Sequence, residues 1–204
     1  MIEQGSEEWH QSRLGKVTAS RVYDVMTKTK SGYGAARKNY MMELLCQRLT
    51  GNREEGFTNA AMQRGNDLEP MARGRYEIEN DVLVIEEALI DHKTIEGFAA
   101  SPDGMVGDKG LLEIKCPNTA THIDFIRTGK ISARYQSQMT AQMLCIGREW
   151  CDFVSFDDRL PEALQYKCVR YELNKTFADE MTLEVNKFLT ELSDFEIEMK
   201  EQAA

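Results

Sequence analysis

Near the middle of the chain, SPDG at 101–104 is followed ten residues after Asp103 by the run Glu113-Ile114-Lys115. Two carboxylates brought together are hard oxygen ligands for a divalent cation. A lysine beside them can orient a nucleophile, help take its proton or stabilise charge on an anionic substrate. This is equipment for hydrolysing a phosphodiester, where a weak nucleophile must meet a polyanion. A cation serves that need by polarising the phosphate, lowering the pKa of bound water and, with a second ion, stabilising the leaving oxygen. Strand alternation predicts Glu113 and Lys115 on one face and Ile114 turned into the core, with the Ile114 carbonyl as a third ligand. Gly104, Gly107 and Gly110 permit a turn that brings Asp103, at the end of one strand, to Glu113 in the next. An isolated Glu-x-Lys triplet is usually a solvated ion pair. Here Leu111, Leu112, Ile114 and the preceding FAAS segment read as a buried sheet, where an acid and a base need a partner or an ion.

Other reactive side chains form no comparable group. His10, His92 and His122 share no ligand spacing, which argues against a histidine metal site. The five cysteines are odd in number and scattered, with no paired spacing, so free thiols in a reducing compartment are expected. Cys116 follows the reactive strand without a positioned histidine and reads as a small buried side chain. Trp9, Trp150, the tyrosines and the eleven methionines are expected mainly as core.

The elements that must position the acids follow from periodicity and punctuation. Ser6 before Glu7 and Glu8 predicts a short helix stopped by Gly15, and a second short helix starts near Thr18 or Ser20. Residues 28–36 read as a loop. Met41, Leu44, Leu45 and Leu49 recur at helical spacing up to Gly51. A helical region over about 58–79 is interrupted by Gly65 and Pro70, with Pro70 in the first turn of its second half. Segments 82–90, 95–101 and 110–116 read as three strands of an antiparallel meander. Helical texture over 119–146, strands at 151–157 and 166–173, and a charged amphipathic helix over 175–200 complete the order. No repeat, low-complexity segment or linker divides the 204 residues, so one domain, 1–204, is expected. There is no membrane-length apolar run and no signal-like amino terminus, so a cytoplasmic protein is expected.

The formal net charge is −9. That lowers the case for a protein that coats DNA more than for an enclosed nuclease, which concentrates carboxylates at its site and needs only a local basic track.

The combination SPDG…LLEIKCP resembles the PD-(D/E)XK nuclease superfamily, in the spelling of its YqaJ and lambda-exonuclease branch. QGSEEWHQSRLGKVTAS at 4–20 is similar to that branch's opening motif, RGNDLEPMAR at 64–73 to its glutamate helix, and YQSQMTAQ at 135–142 to its glutamine-bearing helix. The resemblance implies a mixed α/β fold, a restriction-endonuclease-like core with a central mixed sheet flanked by helices. It assigns Asp103 and Glu113 as metal-binding acids, the Ile114 carbonyl as a ligand, Lys115 as the catalytic lysine and Glu69 as the holder of a metal-bound water. Without the resemblance, Glu69 reads as a solvated helix acid. Arg13 and Ser20 match a 5′-phosphate pocket and Gln138 the glutamine near the active site, whereas Gln136 and Gln142 are less certain.

What the resemblance implies for function is a Mg²⁺-dependent 5′→3′ exonuclease, with Mn²⁺ able to substitute. It would degrade one strand of double-stranded DNA from a 5′-phosphorylated end, release mononucleotides and leave a 3′ single strand for annealing. A ring-shaped homotrimer and a single-strand annealing protein are the partners it implies. Two alternatives stand beside it: a structure-specific endonuclease or nickase of the same fold, and a non-catalytic DNA-binding recombination scaffold. The second predicts loss of the ligand set, yet Asp103, Glu113 and Lys115 are all present.

Overall fold

The sheet carrying the Glu113 segment is covered on both faces, which is why its strands read as apolar runs and not as a clean alternation. A computed structural model of the protein describes residues 4–30, 32–53 and 60–202. Its helices are α1 (Glu7–Ser12), α2 (Val22–Met26), α3 (Ala35–Thr50), α4 (Ala60–Asn80), α5 (Thr119–Thr128), α6 (Ala133–Ile146) and α7 (Lys175–Glu201). Its strands are β1 (Val17–Thr18), β2 (Lys28–Thr29), β3 (Gly32–Tyr33), β4 (Val84–Ile85), β5 (Ile90–Asp91), β6 (Phe98–Ala100), β7 (Gly104–Val106), β8 (Gly110–Lys115), β9 (Trp150–Phe156) and β10 (Tyr166–Glu172).

The main sheet has the order β10-β9-β8-β7-β4 and is mixed, because β8 and β9 run parallel while the other pairs are antiparallel. A parallel pair needs a crossover, and α5 and α6 provide it. Leu112 and Ile114 of β8 pack with Ala72 and Tyr76 of α4. Leu111 faces the other way, into Phe125 of α5 and Met139 and Met143 of α6. Thus the predicted alternation holds, and the face that carries Leu111 and Glu113 is the α6 face. A third cluster joins Met181, Val185, Phe188 and Leu192 of α7, at helical spacing, to Tyr40 and Leu44 of α3. It also holds β1 and β6, which with β5 form a separate three-stranded sheet. This is a mixed α/β architecture with sheets flanked by helices.

The structure departs from the sequence reading in several places. The expected strand over 82–90 is two short ones in different sheets. Between them, Glu86 turns away to pair with Arg73, and a carboxylate pair at 86–87 has no place inside a buried sheet. The expected three-strand meander is accordingly split. Residues 104–106, expected only as turn, form β7, and the hairpin that matters is β7–β8. The loop at 28–36 contains the β2–β3 pair and the start of α3. The 119–146 helix is two, divided where Gly129 takes a left-handed φ of 61° and Ser132 caps the amide of Tyr135. Not all methionines are core, since Met42, Met62 and Met71 are exposed.

Helix α4 is the largest difference, for it continues through Gly65 and Pro70 without a break. The expected start near 58 lies outside the described residues. Leu68, Ala72 and Tyr76 are buried at four-residue spacing, and Tyr76 donates its hydroxyl to Asp152 at 2.8 Å. That packing overrides the helix-breaking tendency of proline, which removes the bond to the Asn66 carbonyl. Pro70→Ala is therefore expected to raise stability by about 1–3 kcal/mol. Urea unfolding of both proteins checks this, and an unchanged midpoint would show that the helix has relaxed the proline's cost.

Candidate active site

Antiparallel pairing sets Gly104 opposite Leu112, so the residue before β7, Asp103, arrives beside the end of β8. The Ile114 amide donates to Asp103 Oδ2 at 2.6 Å, tying the aspartate to the strand that carries the glutamate. The three glycines serve differently from a common turn. Only Gly107 takes positive φ, at 53°. A Cβ on Gly104 would lie 2.0 Å from Val84 Cγ1, and one on Gly110 would lie 2.1 Å from the Trp150 ring, so these two are glycine because neighbours press on the hairpin.

Glu113 is fully buried. Gln138 and Gln142, one turn apart on α6, face it together. The Gln138 Nε2 donates to Glu113 Oε1 at 2.7 Å and the Gln142 Nε2 to Oε2 at 2.6 Å. Lys115, on the same strand face, ion-pairs with Glu113 and lies 5.6 Å from the Tyr135 ring centroid. From α4, Glu69 receives Arg73 Nη2 at 2.9 Å, and Arg73 is shared with Glu86.

The electrostatics record crowding of like charge. Burial first, then Glu113 and Glu69, hold the Asp103 carboxyl well above the usual carboxylate range, against the opposing pull of Lys115 and the Ile114 amide. Burial likewise raises Glu69, opposed by Arg73 and Lys115. Burial works against the Lys115 ammonium, but Glu113 and Asp103 outweigh it and raise its pKa. A cavity of about 520 Å³ opens onto Lys115, Glu69, Ile114 and Tyr135 and is also lined by Arg64 and Arg159. Buried Asp157 holds both arginines, Arg64 at 3.0 Å and Arg159 at 2.7 Å.

The remaining candidates fall at different distances from this centre. The Arg13 guanidinium stacks 4.0 Å from the Trp9 ring centroid and reaches Ser101 Oγ at 3.4 Å, two residues from Asp103. Among the described residues it forms no ion pair with a carboxylate. Trp9, expected mainly as core, instead backs Arg13 and donates its indole N–H to Ser101 Oγ and the Ala88 carbonyl. Ser20 is exposed, with its hydroxyl 3.5 Å from that of Thr18. Gln138, assigned to DNA, has its amide on Glu113. Gln136 donates to the Ile131 carbonyl.

Sequence reasoning did not single out Arg73, Arg64, Arg159 or Ser101. The four-residue spacing of Glu69 and Arg73 on one helix was a usable signal, as was that of Gln138 and Gln142. The Asp157 pairing had none. The three histidines have separate fates: His10 against Arg53, His92 on the amides of Thr94 and Ile95, and His122 buried between Ser155 and the Leu164 carbonyl.

Whether these residues suit a cation is a question of donor chemistry. Among the described residues no group of three or more His, Cys, Asp or Glu side chains is placed to hold a metal ion by itself. Magnesium does not require one, because it keeps several waters and binds through one or two carboxylates. Asp103 and Glu113, brought together across the hairpin, offer hard carboxylate oxygens beside Ile114, and Glu113 lies near enough to add to the effect of burial in raising the Asp103 carboxyl. The donor set fits a hard divalent ion.

Comparisons with known proteins agree with one another. A family model described as YqaJ-like viral recombinase domain matches residues 8–149. An alkaline exonuclease from Laribacter hongkongensis is 58% identical, superposes with a TM-score of 0.91 and covers 97% of this chain and 98% of its own. The same exonuclease, with the same scores, is also known in complex with dAMP. A phage related exonuclease from Haemophilus somnus 129PT shares the fold at 15% identity, with a TM-score of 0.68 over 93% of this chain and 96% of its own. A comparison with curated sequences found no match.

The Asp103 shift has a consequence for stability. Its folded pKa lies above its ordinary value of 3.8, so the folded state holds this proton more tightly than the unfolded chain does. The associated stability is fully present below 3.8 and is lost as pH rises through the folded pKa. Above 3.8 and without metal, folding must either bind a proton here or bury the charge, so the carboxyl opposes folding. Asp103→Asn, whose amide oxygen can still accept from Ile114, is expected to melt at higher temperature than the parent in EDTA, with the gap closing in acid. Equal melting temperatures at neutral pH would show that Lys115 already neutralises the charge.

Proposed function

This chain belongs to the YqaJ-like viral recombinase domain family, and from that membership and the buried acid cluster we propose that it is a metal-dependent 5′→3′ exonuclease acting on double-stranded DNA. The observation that carries the reading is the hairpin that ties Asp103 to the Ile114 amide beside the fully buried Glu113, with Lys115 paired to it and Glu69 close enough to Asp103 to raise its carboxyl. Its identity to an alkaline exonuclease over nearly the whole chain supports the reaction class. That relative's complex with dAMP supports release of mononucleotides.

Asp103, Glu113 and the Ile114 carbonyl would hold Mg²⁺, or Mn²⁺ in its place, with Glu69 supporting a water from α4. The cation would supply electrophilic polarisation of the phosphate and activation of water. Gln138 and Gln142, one amide on each oxygen, hold the Glu113 carboxylate in one orientation. Lys115, raised in pKa, stays protonated at neutral pH and stabilises negative charge on the substrate phosphate as it develops. Arg13, stacked on Trp9 and without an acidic partner among the described residues, takes the 5′-phosphate of the end being digested. Ser20 contributes a hydroxyl to that pocket. Arg13 reaches Ser101, two residues before Asp103, which supports end recognition close to the site of cleavage.

Digestion from a 5′ end leaves a 3′ single strand, the substrate of an annealing protein, and we assign the chain to that place in cytoplasmic recombination. No helix among the described residues is long and apolar enough to cross a membrane.

Adding EDTA is expected to stop digestion of linear duplex DNA, and Mg²⁺ to restore it. Glu113→Ala should lose at least about 100-fold in kcat, in line with loss of a group that organises charge at a reacting phosphate, while Lys115→Ala binds DNA and barely cuts it. Undiminished turnover in EDTA would remove the metal from the account.

The proposal includes a ring-shaped homotrimer. A chain of net charge −9 has little long-range attraction for a polyanion, so sustained digestion needs enclosure more than a basic face. Light scattering is expected to give the mass of a trimer, and a monomeric mass with immediate arrest by competitor DNA would contradict the ring.

A further inference from the structure

Gln142 is buried without a trace of exposure, and its side chain is committed in an unusual way. Its Nε2 faces two acceptors, Glu113 Oε2 at 2.6 Å and the Ser101 carbonyl at 3.5 Å. Its Oε1 is buried with no hydrogen-bond partner. Reversing the amide would point its oxygen at two other oxygens, so the donor side must face them. An unpartnered buried acceptor is costly in a folded protein, and it is tolerated where the donor on the other side of the same amide is needed.

Ser101 is the second half of the observation. Its hydroxyl meets Arg13 at 3.4 Å and the Trp9 indole N–H at 3.0 Å, while its carbonyl meets Gln142. One residue therefore faces the guanidinium proposed for the DNA end on one side and the amide that holds Glu113 on the other. Gln138 is different, since its amide donates to Glu113 Oε1 and to no atom of Ser101.

We propose that Gln142 is a positioning residue that couples occupancy of the Arg13 end site to the placement of the Glu113 carboxylate. An anion drawn to Arg13 competes with Ser101 Oγ for the guanidinium. Ser101 is released to shift, its carbonyl lets go of the second of the two Gln142 N–H donors, and the amide is free to turn its first onto Glu113 Oε2. The bound end thereby completes the orientation of the metal acid, so a phosphorylated end is cut faster as well as bound more tightly. This inference rests on the reading of Arg13 as the 5′-phosphate contact.

The test is single-turnover digestion of linear duplexes carrying either a 5′-phosphate or a 5′-hydroxyl, with kcat and Kd measured separately and melting temperatures recorded. The parent protein is expected to favour the phosphate in both constants. Gln142→Met, close in volume but without a donor, is expected to keep the preference in Kd and bring the kcat ratio of the two ends to about one. Gln138→Met should lower kcat at both ends by the same factor, and Arg13→Ala should lose the preference in Kd and kcat alike. If Gln142→Met does not fold, Gln142→Asn withdraws the donor while keeping the amide, and the same collapse of the kcat ratio is expected. A Gln142 variant that is slower at both ends with the parent's kcat ratio intact overturns the coupling and leaves end recognition standing. A parent protein indifferent to the end, or an Arg13→Ala protein with the preference intact, overturns the Arg13 reading and the coupling together.

Discussion

A carboxylate without solvent in the middle of a sheet is the constraint around which this molecule is arranged. Glu113 has no exposed surface, and an ionised acid in such a place is costly unless hydrogen-bonded and paired. Its two oxygens meet two glutamine amides and a lysine ammonium. Each hydrogen bond to a charged group contributes roughly 1.5–3 kcal/mol, which offsets burial without removing the nearby charge of Asp103 and Glu69. Those two carboxyls stand close by, and a cavity opens onto Glu69, Ile114 and Lys115.

The surrounding architecture follows from holding these acids in place. The β8–β9 parallel pair needs a crossover, and the crossover ends in α6, whose inward face carries Gln138 and Gln142 one turn apart. The β7–β8 hairpin fixes Asp103 to Ile114 through a single amide bond, with Gly104 and Gly110 emptied of side chains so that Val84 and Trp150 can close on it. Helix α4 brings Glu69 from the opposite face of the sheet, and its passage through Pro70 is held by Leu68, Ala72 and Tyr76. Stability and chemistry pull in different directions here. The elements with regular apolar spacing provide the stability, and the hairpin between them bears the charge.

How much of this could be read from the sequence depended on whether the signal was local. The shared face of Glu113 and Lys115 was legible because a two-residue spacing on a strand dictates it, the approach of Asp103 because a glycine-rich turn was expected between the strands, and the nearness of Glu69 only because a resemblance named it. Helices α3, α6 and α7 were legible from periodicity. The strand at 82–90 was misread because the apolar residues on either side of Glu86-Glu87 were joined into one run, although Glu86 leaves the sheet for Arg73. Helix α4 was misread at Pro70 because a local penalty says nothing of the packing that overrides it. Gln142 was left uncertain and Ser101 unassigned, since their role arises only when α6, β8 and the Arg13 segment meet in space.

The central claim is that the neighbouring carboxylates of Asp103 and Glu113 hold a hard divalent cation. Anomalous diffraction from crystals soaked in Mn²⁺ would test it most directly. The account predicts one principal peak coordinated by the carboxylates of Asp103 and Glu113, with the Lys115 ammonium displaced from its ion pair. Crystals that take up Mn²⁺ elsewhere, with Lys115 still on Glu113 and no peak between the two acids, would contradict it.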